Sequence, residues 1–339
     1  MKKNVSKEIF KNRTICITGG AGFIGSHLVK EFNKYNCKII IIDNLSTGRL
    51  ENIKEFLFNK KITFIQKDLS KIDNLKIILK KVDYIFHLAA LADIVPSIEK
   101  PKKYFDANVV GTFNLLNSLT TKQIRKFIYI ASSTCYGIPK KYPTKENELI
   151  DTKFPYALTK NIGEQLVMHW AKVYKLNAIS LRLFNVYGTK SRTSGTYGAV
   201  FGVFLSQKLK NFPLTVVGNG RQMRDFTYVS DIIEAITLAA KSKKTNQIYN
   251  IASGKPKSVN DIVKILDHKK INIKKRPGEP DVTWANISKA KRDLKWRPKI
   301  SFEKGVNELI KNINYWKKAP VWTKDKIKIA TKSWFKYLK

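Results

Sequence analysis

Tyr156 and Lys160 stand at i and i+4, a spacing that puts both side chains on one face of a helix. A free tyrosine ionises near pH ~10 and is a poor base at neutrality. A neighbouring ammonium, together with a positively charged nicotinamide ring, favours the phenolate and brings it toward working range. Such pairs are common on helix surfaces, so this one gains meaning only from its company. Ser132 and Ser133 close a β-rich run, where hydroxyls can donate to the oxygen whose proton Tyr156 would remove. The chemistry described is removal of a proton from a hydroxyl group.

A dinucleotide must then lie on the same sheet edge. Thr18-Gly19-Gly20-Ala21-Gly22-Phe23-Ile24-Gly25 places glycines at 19, 22 and 25 directly after a strand and directly before a helix. Glycine lets the backbone approach a pyrophosphate, and the helix N-terminus offers N–H groups and partial positive charge. Asp43 closes the second β-rich run, where a carboxylate accepts from ribose hydroxyls and repels a ribose phosphate. NAD is therefore expected rather than NADP, with Arg49 read as a surface residue. Asp68-Leu69 follows the third run and either meets the adenine or caps a helix.

The elements that would position these residues alternate in the βαβ manner. Strands are expected at 14–18, 38–43, 62–66, 82–87, 126–132 and 178–183, with helices around 50–59, 74–81, 101–119 and 154–174. The fold class is α/β, a doubly wound parallel sheet whose ligands sit at the carboxyl ends of its strands. Beyond Tyr187 the chain turns rich in Gly, Ser and Thr, and its elements shorten. The expected division is a dinucleotide domain over 1–187 with 226–251 returning to it, a smaller substrate domain from 188–225 and 252–316, and a tail over 317–339.

Composition bounds the alternatives. Hydrophobic residues make 43% and charged residues 27% of 339, which excludes disordered and fibrous classes. No apolar run approaches a membrane span, and residues 1–12 have the basic but not the apolar character of a leader. Cys16, Cys37 and Cys135 are odd in number and widely spaced, which speaks for a reducing compartment, here read as the cytoplasm, and against disulfides or zinc. Lys and Arg outnumber Asp and Glu by 64 to 26, a net +38. The lysines are scattered without a dense tract, so no specific nucleic-acid site is expected; the excess charge concentrates a doubly anionic substrate. His27, His87, His169 and His268 lack metal-ligand spacing, Cys135 is read as packed, and Glu146 and Glu148 as surface charges.

Taken together, Thr18–Gly25, His87-Leu88-Ala89-Ala90, Ser132–Gly137, Tyr156–Lys160 and Arg224-Asp225-Phe226 resemble an extended short-chain dehydrogenase/reductase of the nucleotide-sugar epimerase/dehydratase group. The resemblance runs from about residue 12 to 316 and is most like the UDP-hexose and UDP-N-acetylhexosamine 4-epimerases. It implies a Rossmann domain holding NAD through Gly19, Gly22, Phe23, Ile24, Asp43, Asn44, Asp68, Leu69, Leu88, Ala89, Ala90, Asn108, Tyr156 and Lys160. It further implies sugar-nucleotide contacts from Ser133, Asn185, Arg224 and Arg276, the last on the diphosphate, and catalysis by Ser132, Thr134, Tyr156 and Lys160.

Dehydratases of the group carry an Asp-Glu pair where this chain has Ser133 and Thr134, and the decarboxylases keep a glutamate at 134. Neither residue here is a carboxylic acid, which points to 4-epimerisation through a 4-keto sugar. The residue seven after Arg276 gates the sugar's 2-position in related enzymes; here it is the small Thr283, suiting UDP-N-acetylglucosamine, its galacto epimer, or their uronic acids. The loop 191–196, with Arg192, either receives a 6-carboxylate or is a flexible polar loop. The competing readings are a UDP-glucose 4-epimerase, another nucleotide-sugar oxidoreductase or decarboxylase, and a non-catalytic NAD-binding protein, though the last fits poorly with a retained Tyr156 and Lys160. The expected role lies in surface-polysaccharide precursors. A homodimer through the helices around 101–119 and 154–174 is suggested, although the same stripes fit packing within one chain. The tail's apolar stripe among lysines either docks on protein or lies at an anionic membrane, docking being preferred.

Overall fold

The computed structural model describes residues 8–191 and 199–338. Seven parallel strands form the main sheet: β1 (Thr14–Thr18), β2 (Lys38–Ile42), β3 (Ile62–Ile65), β4 (Tyr84–His87), β5 (Lys126–Ser132), β6 (Ala178–Leu183) and β7 (Gln247–Ile251), ordered β7-β6-β5-β4-β1-β2-β3. The order reverses at β1 and β4, the switch point where a parallel sheet opens a crevice for ligands. Strands such as Ile39-Ile40-Ile41-Ile42 are apolar throughout because both faces are covered. Alternate side chains feed two cores: Ile15 and Ile17 pack with Leu28, Phe32 and Ile236, while Cys16 packs with Leu115, Tyr129 and Val167.

The helices that bear on the site are α1 (Phe23–Phe32), α2 (Ile94–Glu99), α3 (Pro101–Phe105), α4 (Gly111–Asn117), α5 (Pro155–Val173), α6 (Val200–Leu209), α7 (Val229–Lys241), α8 (Val259–Leu266), α9 (Phe302–Lys311), α10 (Lys324–Ala330) and α11 (Lys332–Tyr337). A third core unites Phe201, Phe204, Leu214, Val216, Phe226, Ile262, Phe302, Val306 and Trp316 beyond the carboxyl edge of the sheet. Short strand pairs stitch this part together, Leu214–Val217 with Lys270–Ile273 and Met223–Arg224 with Lys257–Ser258.

Four expectations need correction. The segment 50–59 forms two 3₁₀ turns, Leu50–Asn52 and Lys54–Phe56, because buried Asn52 donates from Nδ2 to the Ala21 carbonyl (2.9 Å) and ties the stretch to the glycine-rich turn. The helix expected over 101–119 ends at Asn117 and carries a π turn, Asp106–Val110, between α3 and α4 without leaving helical backbone. Asp68 caps no helix; it accepts from the Ser70 amide and hydroxyl at 2.9 and 2.7 Å and closes a turn. Glu146 is half-buried rather than a surface charge, accepting from the Asn250 amide at 3.0 Å.

The tail docks on its own chain. Its stripe is split into α10 and α11, which bury Ile327 and Trp334. No helix among the described residues is long and apolar enough to cross a membrane.

Candidate active site

One cavity of about 690 Å³ runs along the carboxyl edge of β1, β2, β4 and β5 and continues against the third core. At its dinucleotide end, Gly19 adopts φ +70°, and a Cβ there would come within 2.7 Å of the Ala89 amide nitrogen. A Cβ on Gly25 would meet the Gly19 carbonyl oxygen at 2.1 Å, so the turn and the start of α1 are in contact with no room for side chains. No side chain caps α1, whose N-cap is Gly22, and its first N–H groups remain for an anion. Asp43 accepts one N–H on each carboxylate oxygen, from Ala21 (3.0 Å) and Leu45 (2.8 Å), which leaves each oxygen a lone pair toward the cavity it lines. Asn44 donates to Asp68 at 2.9 Å beside Leu69. Leu88, Ala89 and Ala90 form the facing wall, with the Ala89 amide held by the Thr18 hydroxyl (3.2 Å). Phe23 and Ile24 complete this end. A turn with no room for side chains, and a carboxylate that among the described residues has no ion-pair partner, fit NAD.

Asn108 does not line the cavity. It sits in the π turn behind the wall, where Oδ1 accepts from the Leu91 amide (2.8 Å) and Nδ2 donates to the Leu91 carbonyl and the Thr159 hydroxyl (both 3.0 Å). His87 is buried beside it. Thr112 donates to the Asn108 carbonyl, so the His87 Nε2–H must donate to Thr112 (2.9 Å), and Nδ1 accepts from Thr18 (2.7 Å). Burial holds its pKa down to about 3, and Lys160 adds to the effect.

Ser132, Ser133, Thr134, Tyr156 and Lys160 converge at the middle of the cavity. Ser132 ends β5 and its hydroxyl lies 2.9 Å from that of Thr134. Tyr156 opens α5 after Pro155, whose fixed φ suits the first helical turn. Burial pushes the Tyr156 phenol above its ordinary range, a hydrogen bond with Ser132 pulls it down, and the Asp93 charge raises it. Lys160, one turn on, is buried with Nζ 4.4 Å from the Tyr129 ring centre, and burial lowers its pKa to about 7 against the opposing charge of Glu164. Cys135 is packed beneath, its thiol pushed up to about 12 by burial.

At the far end Arg224 and Arg276 converge on one carboxylate, Glu279, at 2.8 and 3.6 Å. Two guanidiniums against one carboxylate leave this wall net positive, as a diphosphate requires. Thr283 donates to Asn185 Oδ1 (3.1 Å) and accepts from the Asp225 amide (3.2 Å), so the residue read from sequence as a gate also fixes the Asn185 amide. Arg192 lies outside the described residues. Sequence reasoning missed Glu279, visible only as the end of Arg-Pro-Gly-Glu, and buried Asp225, which gathers the Gly254 and Ala285 amides. It also missed Pro320, Trp322 and Trp334, tail residues that line the cavity. Among the described residues no three His, Cys, Asp or Glu side chains are placed to hold a metal.

Fold and site together define an extended short-chain dehydrogenase/reductase. The sequence pattern of the family described as GDP-mannose 4,6 dehydratase matches residues 16–309, and the chain belongs to that family. It is 36% identical over 304 residues to a putative UDP-glucose 4-epimerase of Methanocaldococcus jannaschii, covering 87% of this chain and 97% of that one. A UDP-N-acetylglucosamine 4-epimerase from Methanobrevibacter ruminantium, solved with UDP-N-acetylmuramic acid, superposes with TM-score 0.83 at 34% identity over 89% of this chain and 99% of that one. A UDP-glucuronic acid 4-epimerase from Bacillus cereus, solved with UDP-glucuronic acid and NAD, does so with TM-score 0.83 at 32% identity over 90% and 99%. The chain is an enzyme of the NAD-dependent nucleotide-sugar epimerase type.

Proposed function

We propose that the enzyme inverts carbon 4 of a UDP-sugar, either UDP-N-acetylglucosamine and its galacto epimer or the corresponding uronic acids, for surface-polysaccharide precursors in the cytoplasm. The observation that carries this reading is the Ser132–Thr134–Tyr156–Lys160 set at mid-cavity, with hydroxyls at 133 and 134 where elimination or decarboxylation would need an acid. NAD, held at the glycine-rich turn and Asp43, would supply the reversible hydride acceptor.

The chain's own residues move the proton and hold the oxygen. Tyr156 as phenolate takes the 4-hydroxyl proton and later gives it back. Lys160, held over the Tyr129 ring, favours that phenolate by charge. Ser132, with Thr134 hydrogen-bonded to it, donates to the sugar oxygen. Arg224 and Arg276 hold the diphosphate, and Asn185 with Ser133 lines the sugar subsite, so the sugar can turn while its nucleotide stays fixed. Thr283 leaves room at the sugar's 2-position. The enzyme is proposed to work as a homodimer, through an outer face on α3, α4 and α5 where Phe105, Phe113, Leu158, Val173 and Tyr174 are exposed.

Proton NMR of the anomeric region tests the reading. UDP-N-acetylglucosamine incubated without added reductant should give the galacto epimer to a constant ratio. No change in that sugar, in its uronic acid and in the unacetylated hexose overturns epimerisation.

A further inference from the structure

The family match ends at residue 309, yet the chain continues and returns to the cavity. The tail leaves the third core with the Ala319 and Pro320 carbonyls held by Ser206 and the Trp322 carbonyl held by Gln207 Nε2, which donates to Thr215 as well. It then crosses to the dinucleotide side, where α11 packs on α2 and the Ser333 hydroxyl donates to Glu99 at 3.0 Å. Trp334 is the point of arrival. Its indole is 4% exposed, its Nε1–H donates to the Pro277 carbonyl at 2.7 Å, and one face lies 5.4 Å from the Arg276 guanidinium. Its ring centre is 6.5 Å from that of Phe154, which stacks on Tyr156 at 6.4 Å and 12°. The indole therefore joins the proposed diphosphate arginine to Phe154, the ring stacked on Tyr156, along one wall of the cavity.

We propose that Trp334 is a specificity-determining wall of the sugar subsite, supplied by the tail as a strap across both halves of the cleft. This rests on the reading of the site as one for a nucleotide sugar. The aromatic face presents apolar surface to the C–H side of a pyranose and holds the guanidinium plane by cation–π attraction. A nucleoside bound beyond the two arginines would be out of its reach, so Trp334 is expected to act on the sugar more than on the nucleoside diphosphate.

Calorimetric titration of the NAD-loaded protein with UDP-N-acetylglucosamine and with UDP separates these contributions and requires no turnover. Trp334→Leu keeps apolar bulk but removes the aromatic face, and should weaken UDP-N-acetylglucosamine about tenfold while changing UDP by less. Trp334→Phe should bind close to wild type. The proposal is overturned by a Trp334→Leu protein that binds the sugar nucleotide as wild type does, or by equal loss of both ligands. It is also overturned if wild type binds UDP but not UDP-N-acetylglucosamine, or binds neither. A turnover assay on the same protein reports separately on epimerisation: binding without inversion sinks that reading and leaves the strap standing.

Discussion

At the scale of the residue, the proposed function has Tyr156 and Lys160 divide one task, and their variants should fail differently. Tyr156→Phe removes the proton acceptor, so turnover should fall by about 10²–10⁴-fold with NAD still retained, as anomeric NMR and the cofactor content of the purified protein would show. Lys160→Met removes the cation that favours the phenolate. Burial already holds the Tyr156 phenol high, and removing a neighbouring cation disfavours a phenolate further. The acid limb of the pH–rate profile should move to higher pH, with activity at neutrality falling about tenfold for each unit moved and returning as pH is raised. An unshifted limb would remove Lys160 from that role. Thr283→Tyr should close the 2-position, and N-acetylhexosamine turnover should drop well below that of the unacetylated hexose. The Asn185 amide also loses its Thr283 partner in this variant, so the ratio of the two substrates is the measure, not either rate alone. Tyr156 and Lys160 could be singled out in the sequence because type and local spacing suggest their chemistry, whereas Thr283 came only from the resemblance, and what the structure adds is that they line one cavity. Glu279 was not, because a carboxylate shared by two arginines from separate segments leaves no local pattern.

At the scale of the element, the π turn and β4 lock together through His87. The extra residue in the turn swings Asn108 inward onto Leu91, and His87 joins Thr112 of α4 to Thr18 at the head of the glycine-rich turn. Folded His87 keeps a pKa of about 3 against an ordinary 6.5. Between those values the unfolded chain takes up a proton that the folded chain refuses. The stability this neutral ring contributes is therefore complete above the unfolded value and is lost as pH falls toward 3. His87→Gln should be less stable at neutral pH by about 1–3 kcal/mol for the two threonine hydrogen bonds lost with the imidazole, yet show a shallower fall in melting temperature on acidification. A variant with the wild-type acid slope would show that His87 does not set it. Apolar periodicity revealed the helix from 101 to 119 but not its π turn, since a one-residue insertion barely disturbs a stripe. It revealed nothing of α2, a six-residue helix with Pro96 in its first turn, too short for a period to show.

At the scale of the whole molecule, the doubly wound parallel class and the place of the crevice at the strands' carboxyl ends followed from the alternation of β-rich and amphipathic runs, whereas the order of the strands and the path of the tail did not. An apolar stripe shows that a helix is covered, but not by what, and only the fold brings 317–338 back to the cleft. The same ambiguity attended the outer face of α3, α4 and α5, and there the described residues give no cover: Phe105, Phe113, Val173 and Tyr174 are 46, 42, 48 and 51% exposed. Phe113 lies edge-on to Trp170 at 5.9 Å, and Trp170 to Tyr174 at 5.1 Å, so the aromatics form one continuous patch across two helices rather than scattered surface residues. With a net +38 on the chain, two copies repel at long range, and an apolar patch must overcome that repulsion at contact. Association should therefore tighten with salt, the reverse of a charge-paired interface. Sedimentation should find wild type dimeric and increasingly so from low to high salt. Phe113→Asp with Val173→Asp, both on the outer face and away from Tyr156 and Lys160, should sediment as monomer with NAD still bound. A wild-type monomer at every salt concentration, or a dimer indifferent to both substitutions, would place the subunit contact elsewhere or deny it.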